Sequence, residues 1–486
     1  MSKNRTVAVI GGGLAGLAAA RLLCLKGMAV KLYETNGKLG GCCATTRVGG
    51  YTFNDGALFL ALPGMLDQLF HRLELDRVSL LPLRRISALQ RTVLPDGTVV
   101  SFGEEADISI EGDAGKAATA KAREELRGFL KKWDPLLHLF ADDILVQPLS
   151  LPRFIAKGWR HLHLLRGTAA SQLNRSFSNE AIRSAMSGTL LFTGIPPDKM
   201  PVASLLGLAA MFRQGYFIPE GGMGSIPETL GHAVRKQGGE IHLNSNVNRI
   251  LVNDGHAYGI DVENEGVVNV DAVISTTSGM HTFGSLLSER DVPAKMAQKA
   301  RRAILSHKGF VLQLGLSNRI DASSYSNNVL PFLGEQHQLF LPDQHKLRWP
   351  IYMVPTTAMP ELAPPGGSIV EVFPQIRQDL TAEDWSEERK EEVAAQAAER
   401  LRGIHEIDIA VRRILSPKEF QNGAHLYAGA LYGLSPIASP ATLFKYRSPI
   451  RALYQAGQTT WPGFGVVSAG MSGVMAAEAL IRDEVR

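Results

Sequence analysis

The first forty residues constrain this chain most. Thr6–Ile10 (TVAVI) reads as a short apolar strand, Gly11-Gly12-Gly13-Leu14-Ala15-Gly16 as a glycine turn, and Leu17–Lys26 as a helix running back. A second strand, Ala29–Tyr33, ends at Glu34. Strand, G-x-G-x-x-G turn, helix and strand with an acid at its tip form the βαβ unit that binds dinucleotides. Gly11 permits the tight turn, Gly13 lets backbone approach a pyrophosphate, and Gly16 lets helix pack on strand. The free N–H groups of Leu14 and Ala15 at the helix start attract phosphate oxygens. Glu34, 18 residues beyond Gly16, is placed to accept hydrogen bonds from ribose hydroxyls.

At 486 residues the chain exceeds one core and predicts two domains, interleaved if both ends serve the same site. Segments 1–75, 218–282 and 450–486 read as a discontinuous dinucleotide-binding domain, and 76–217 and 283–449 as a substrate domain. The expected fold class is α/β, Rossmann-like, joined to a mixed-sheet and helical unit. With 45% apolar and 20% charged residues, disorder is excluded as the main state. A dispersed net charge of +4 argues against nucleic acid. Cys24, Cys42 and Cys43 show no zinc spacing and imply no disulfide framework. No stretch reaches the roughly 18 apolar residues of a membrane span, so the expected setting is the cytoplasm, with a membrane surface as an option.

Leu39-Gly40-Gly41-Cys42 suits a backbone passing tightly over a ligand, and Arg47 either neutralises phosphate or is solvated. Tyr51–Gly56 reads as a hairpin strand and Pro63–Leu75 as a helix. Strands are expected over Ser87–Leu94 and Val99–Ser101, then a helix over Gly115–Trp133 that stops at Asp134-Pro135. Residues 144–179 contain no acid. There Leu151, Phe154, Ile155, Trp159 and Leu162 recur at helical spacing, with Arg153, Lys157 and Arg160 opposite. Such a stripe is either a core face or an amphipathic helix on an anionic membrane.

Gly221-Gly222-Met223-Gly224 opens a helix, but Pro227 stands at the third glycine and no distal acid follows, so it reads as a helix start without a second nucleotide. Strands are expected over Glu240–Leu243, Val247–Asn253, Ala257–Val262, Val267–Asn269, Ala272–Thr276, Phe310–Leu316 and Ser368–Phe373. A charged helix, Ser386–Arg402, is capped by Ser386 and closed by Gly403. Ala452–Ala456 then reads as a buried strand before a glycine loop and a helix from Met471, which offers a second set of exposed amides.

The opening fingerprint with Glu34, the Leu39-Gly40-Gly41 turn, Gly221–Gly224, the Ala363-Pro364-Pro365-Gly366 turn and the closing Pro462-Gly463-x-Gly465-Val466 before Ser472-Gly473 resemble the phytoene desaturase, carotenoid isomerase and retinol saturase branch of the FAD-dependent amine-oxidase superfamily. The resemblance implies FAD, non-covalently held. Glu34 would meet the adenosine ribose, Gly11–Gly16 the diphosphate, Val247 the adenine side, and Gly457 with Gln458 the ribityl phosphate. Gly465, Val466, Val467 and Met471 would offer backbone to the isoalloxazine edge. It further implies hydride transfer to or from a long apolar polyene or isoprenoid substrate, in a tunnel whose mouth lies near 144–179. NADPH as a transient donor is left open. Two departures stand out: Cys42 where many members have arginine, and Gln458 where an acid is common.

Flavin supplies the hydride chemistry itself, which accounts for the lack of a triad or metal motif. The catalytic residues stay unassigned, with His161, His163, Arg153 and Tyr216 as candidates. Two other readings compete: a flavin amine oxidase, which wants an aromatic cage and a lysine, and a lipid-binding escort protein of the same fold that uses no flavin. The substrate, reaction direction and oligomeric state are not legible.

Overall fold

A computed structural model describes residues 5–103, 107–111, 115–340 and 351–484. The opening strand β1 (Thr6–Ile10) leads through the glycine turn into helix α1 (Leu14–Leu25) and strand β2 (Ala29–Tyr33). β1 and β2 lie inside a five-stranded parallel sheet whose order is Glu240–His242, β2, β1, Ala272–Ser275 and Leu453–Gln455. These strands are short and largely apolar because both faces are covered, one by helices α1, Ser225–Lys236 and Val466–Glu484 and the other by the three-stranded antiparallel sheet Val247–Asn253, His256–Val262 and Gly266–Asn269. The chain order reverses at β1, so the carboxyl ends of β1 and Ala272–Ser275 form the crevice where such sheets bind ligands.

α1 packs against the C-terminal helix Val466–Glu484, and glycine governs how closely. A Cβ built on Gly473 would stand 2.0 Å from the Ala15 carbonyl oxygen. Both helices follow parallel strands, so both N-termini open on the same edge of the sheet.

The second large sheet has eight strands, in the order Ile409–Leu415, Val311–Leu316, Ser368–Val372, Ile351–Met353, Ser326–Val329, Ala88–Val93, Val99–Gly103 and Ile108–Glu111. Its Ser326–Val329/Ala88–Val93 pair is parallel and the others antiparallel, so the sheet is mixed. One face of Ser368–Val372 sends Val370 and Val372 into a core under helix Glu387–Arg402, and the other sends Ile369 into the main core. The hairpin of β3 (Thr45–Val48) and β4 (Tyr51–Asn54) links the two sheets, with the Tyr51 hydroxyl donating to the Leu316 carbonyl at 2.9 Å.

Three expectations are corrected. The helix from Gly115 runs to Leu139 through Pro135, since Trp133, Leu136 and Leu137 are buried on it and Arg213 clamps Asp134 with two hydrogen bonds; this packing outweighs the lost proline donor. The helix from Pro63 ends at Arg72. The stripe at Leu151 divides between helix Leu151–Gly158 and a 3₁₀ turn, Trp159–Leu165. Phe154 turns in against Phe140, while Leu151, Ile155 and Trp159 stay 65%, 48% and 60% exposed, so it is no core face. The side chain of Leu162 lies outside the described residues. No helix among those described is long and apolar enough to cross a membrane.

Gly473→Val should lower the unfolding free energy by about 3 kcal/mol, the upper range for overpacking. Gly128→Ala, in an exposed helix interior with open space around its Cβ, should raise it by about 1 kcal/mol. Urea unfolding measures both.

Candidate functional site: a glycine cradle at the strand ends

Gly11 leaves β1 with φ +103°, a conformation that favours glycine, and its N–H bonds the Tyr33 carbonyl at 2.8 Å. A Cβ on Gly16 would stand 1.9 Å from the Gly11 oxygen. Protein atoms therefore explain both glycines. Gly13 is different: a Cβ there meets nothing closer than the Gly40 oxygen at 4.0 Å, so the space over it is open. The amides of Leu14, Ala15 and Gly16 have no carbonyl within their own helix, whose first bond is Leu17 N–H to Gly13 O.

The second glycine turn packs on the first. Gly40 N–H donates to Gly12 O at 2.9 Å, and Gly13 and Gly40 form a parallel bridge. Gly40 and Gly41 both have positive φ, +129° and +53°. Glu34 is buried beneath them, where Oε2 accepts from Gly12 N–H at 2.6 Å and Oε1 from Asn36 N–H at 2.8 Å. The expected ribose acceptor thus also braces the turn from below. Ser245 N–H bonds the Glu34 carbonyl, which brings the buried Val247 and its strand to the same corner.

The chain end completes the edge. Gly457 has φ +99°, a Cβ there would stand 2.8 Å from Thr276 O, and its N–H donates to Ser472 Oγ. Thr276 Oγ1 donates to Ile10 O, so this threonine joins the ends of three strands; sequence reading overlooked it because a lone threonine after a strand carries no pattern. Gln458 is partly exposed beside Gly457. The last helix begins at Val466, not Met471, because Gly465 at φ +105° already turns the chain and Ala469 N–H bonds Gly465 O. The free first-turn amides are those of Val466, Val467 and Ser468. Met471 lies inside the helix with its side chain in the core, so it offers the edge no free N–H.

Two expected residues contribute differently. Arg47 is exposed on β3, opposite Thr52, and lends the cradle no buried charge. Cys42 accepts from Ala57 N–H through its carbonyl, and burial pushes its thiol up to about 11, so it is no reactive thiolate. Met223 N–H donates to Asn54 Oδ1, tying the Gly221–Gly224 turn to the same hairpin.

Where the two sheets meet lies an aromatic cluster. Phe59 lies tilted against Tyr216 at 4.4 Å and meets Tyr325 edge-on at 4.5 Å; Phe192 touches both Tyr325 and Phe373; Tyr432 is tilted against Phe464 at 4.8 Å and donates to Phe192 O. Burial pushes the Tyr216 phenol up to about 12 and holds that of Tyr325 well above its ordinary value, so both are neutral. Of the catalytic candidates only Tyr216 lies here. His163 is exposed against Arg160 O, and His161 and Arg153 are partly exposed on the 151–165 segment.

The sequence model of flavin containing amine oxidoreductases matches residues 14–481. The chain belongs to this family. As a flavin containing amine oxidoreductase it is an FAD-dependent oxidoreductase. It is 25% identical to a zeta-carotene-forming phytoene desaturase of Myxococcus xanthus over 99% of this chain and 94% of that one. It is 26% identical to a lycopene-forming phytoene desaturase of Pseudescherichia vulneris over 98% and 99%. Its fold matches an oxidoreductase from Methanosarcina mazei (TM-score 0.66, 17% identity, covering 97% and 100%) and a putrescine oxidase (TM-score 0.65, 15%, 99% and 99%). The α/β expectation and the family resemblance hold.

The residues present fit the family's cofactor. The open face of Gly13, flanked by the unpaired amides of Leu14 to Gly16 at a helix N-terminus, is what a diphosphate requires. Gly13→Asp places a carboxylate in that space without striking protein atoms. The purified variant should fold with unchanged circular dichroism and lose its flavin absorbance.

Proposed function

We propose that the chain holds FAD across the carboxyl edge of its parallel sheet and uses it to oxidise or reduce a long apolar polyene or isoprenoid chain. In this reading segments 1–75, 218–282 and 450–486 form the FAD unit and the rest the substrate unit. The diphosphate lies over Gly13 between the amides of Leu14 to Gly16, its ribose toward Glu34 and Val247. The ribityl phosphate lies at Gly457 and Gln458, and the isoalloxazine edge at Gly465 to Val467, beside Gly40, Gly41 and Cys42. When bound, FAD supplies the hydride chemistry. The chain's own residues place it and exclude water.

The observation that carries the substrate class is the aromatic junction, together with full-length similarity to carotenoid desaturases. Phe59, Phe192, Tyr216, Tyr325 and Phe373 offer tilted and edge-on rings that suit an apolar polyene and, as an aromatic cage, an ammonium group as well; the similarity to carotenoid desaturases decides for the polyene. The amine-oxidase reading has less support: Lys308, which bridges Ala430 two residues from Tyr432, donates its ammonium to the Gln378 and Leu380 carbonyls.

Mixed anaerobically with phytoene in detergent, the yellow protein should bleach, and a product with a longer conjugated absorbance should appear. Tyr325→Ala should retain FAD and lose about tenfold in kcat/KM, the order expected for one lost aromatic contact of ~1.4 kcal/mol. Hydrogen peroxide formed from amines, with phytoene untouched, would favour the amine oxidase. Anaerobic bleaching by NADPH would identify that nicotinamide as a donor acting at the flavin face.

An apolar substrate has to be taken from somewhere, and the 149–166 segment supplies the means. Leu149, Leu151, Ile155 and Trp159 are exposed together, with Arg153, Lys157, Arg160 and Arg166 around them. Exposed apolar anchors among cations suit an anionic bilayer surface. The protein should co-sediment with vesicles containing phosphatidylglycerol, less so at high salt, and the Leu151→Asp/Trp159→Asp double variant should remain in the supernatant.

A further inference from the structure

Glu371 is fully buried on strand Ser368–Val372, on the face that also carries Ile369 into the main core. Its Oε1 accepts from Gln313 Nε2 at 3.0 Å, and its Oε2 is buried with no partner. A buried, unpaired carboxyl oxygen is costly, and a fold that retains one calls for a reason.

The surroundings connect this carboxyl to the cradle. Gln313 Nε2 also donates to the Asn54 carbonyl at 2.6 Å, and Gln313 Oε1 accepts from Arg413 Nη1 at 2.6 Å. Arg413 Nη2 reaches Asp55 Oδ1 at 3.0 Å, and Asp55 Oδ2 accepts from Lys38 Nζ at 2.6 Å. Asn54 ends β4 and Asp55 follows it, and the continuation, Gly56-Ala57, lies directly on Cys42: Ala57 N–H donates to Cys42 O, and a Cβ on Gly56 would stand 2.8 Å from that oxygen. Two residues beyond Glu371, on the same face, Phe373 packs against Phe192 and against the small apolar cluster that Cys42 also touches. Glu371 therefore lies between the aromatic junction and the Gly40–Cys42 turn. Of the charged groups linked to it, Arg413 and Asp55 act on it and Lys38 pairs with Asp55; at the far end of this chain of contacts the Cys42 and Cys43 thiols are un-ionised.

We propose that Glu371 is the internal proton site of this redox centre, neutral when the cofactor is oxidised and holding its proton more tightly when the cofactor is reduced. This rests on the reading that places the isoalloxazine beside Gly40 to Cys42. Burial pushes the carboxyl up to about 8, opposed by Gln313 and Arg413 and assisted by Asp55. Charge balance is explicit: two electrons with one proton add one negative charge to the cleft, and a second proton, drawn from solvent, ends on the Glu371 carboxylate whenever that group was ionised beforehand. A neutral acid there also keeps the apolar junction free of a second charge.

The test is potentiometry of the flavin-loaded protein from pH 6 to 10. Above about pH 8 the wild-type midpoint should fall more steeply than that of Glu371→Gln, by about 30 mV per pH unit, one extra proton per two electrons. Glutamine keeps the acceptor for Gln313 and cannot titrate. Arg413→Gln, which leaves Glu371 in place, should move the break to higher pH. Equal slopes in wild type and Glu371→Gln, or a break unmoved by Arg413→Gln, overturn the proposal. Loss of flavin by all three proteins overturns the cofactor reading instead. Independently of flavin, the apoprotein should lose stability as pH rises from about 4.5 to about 8, because the native carboxyl keeps a proton that the unfolded chain releases. Glu371→Gln should flatten that profile, and an unchanged slope would count against a buried neutral acid.

Discussion

The contact on which this structure depends is one between two stretches of bare backbone. Gly40 N–H meets Gly12 O while Gly13 lies alongside Gly40, and Glu34 grips Gly12 from below. A side chain on Gly12 would strike Leu39 and Glu34, and one on Gly40 would strike Ala44 and Pro227; glycine lets the two turns, with Gly13 and Gly40 27 positions apart, merge into one surface. The acid at the tip of β2 satisfies amides of its own fold as well as facing the edge where a nucleotide would lie. The cradle is thus braced before any ligand arrives, which favours binding because less order has to be imposed on association.

Around that contact the molecule divides its labour by backbone geometry. The parallel sheet places four strand ends, at Gly11, Glu34, Thr276 and Gly457, on one edge, and two helix N-termini open there. The mixed sheet contributes strand ends rather than a face: Tyr325 precedes Ser326–Val329 and Phe373 follows Ser368–Val372, and loops bring the remaining rings to them. The β3–β4 hairpin is the joint between them. It is bonded to the mixed sheet through Tyr51 and Gln313 and to the glycine turns through Ala57 and Cys42, so a change in one unit is felt in the other.

Much of this was legible because it is written in local chemistry. β1, β2 and Val247–Asn253 were read to the residue, and the helix capped by Ser386 to within one, from period and capping alone. What escaped is set by distance in the chain. Pro135 ends a helix by local rules and failed to do so because Trp133 and Leu136 pack on partners far away in sequence. The helix start at Val466 was hidden because the preceding glycines read as loop. The aromatic junction was invisible for the same reason: its rings come from positions 59, 192, 216, 325, 373, 432 and 464, and no window of sequence contains two of them at a telling spacing. Glu371 was likewise indistinguishable from any strand residue until Gln313 and Arg413 stood beside it.

The seam between α1 and the last helix has a consequence for the order of events during synthesis. The glycine turn leaves the ribosome long before the strand Leu453–Gln455 and the amides of Val466 to Ser468 that complete the edge. Until they emerge, α1 lacks its partner and the crevice has only one wall. A nascent chain therefore has no complete place for a dinucleotide, and the acquisition of colour would mark the moment at which its two ends have closed on each other.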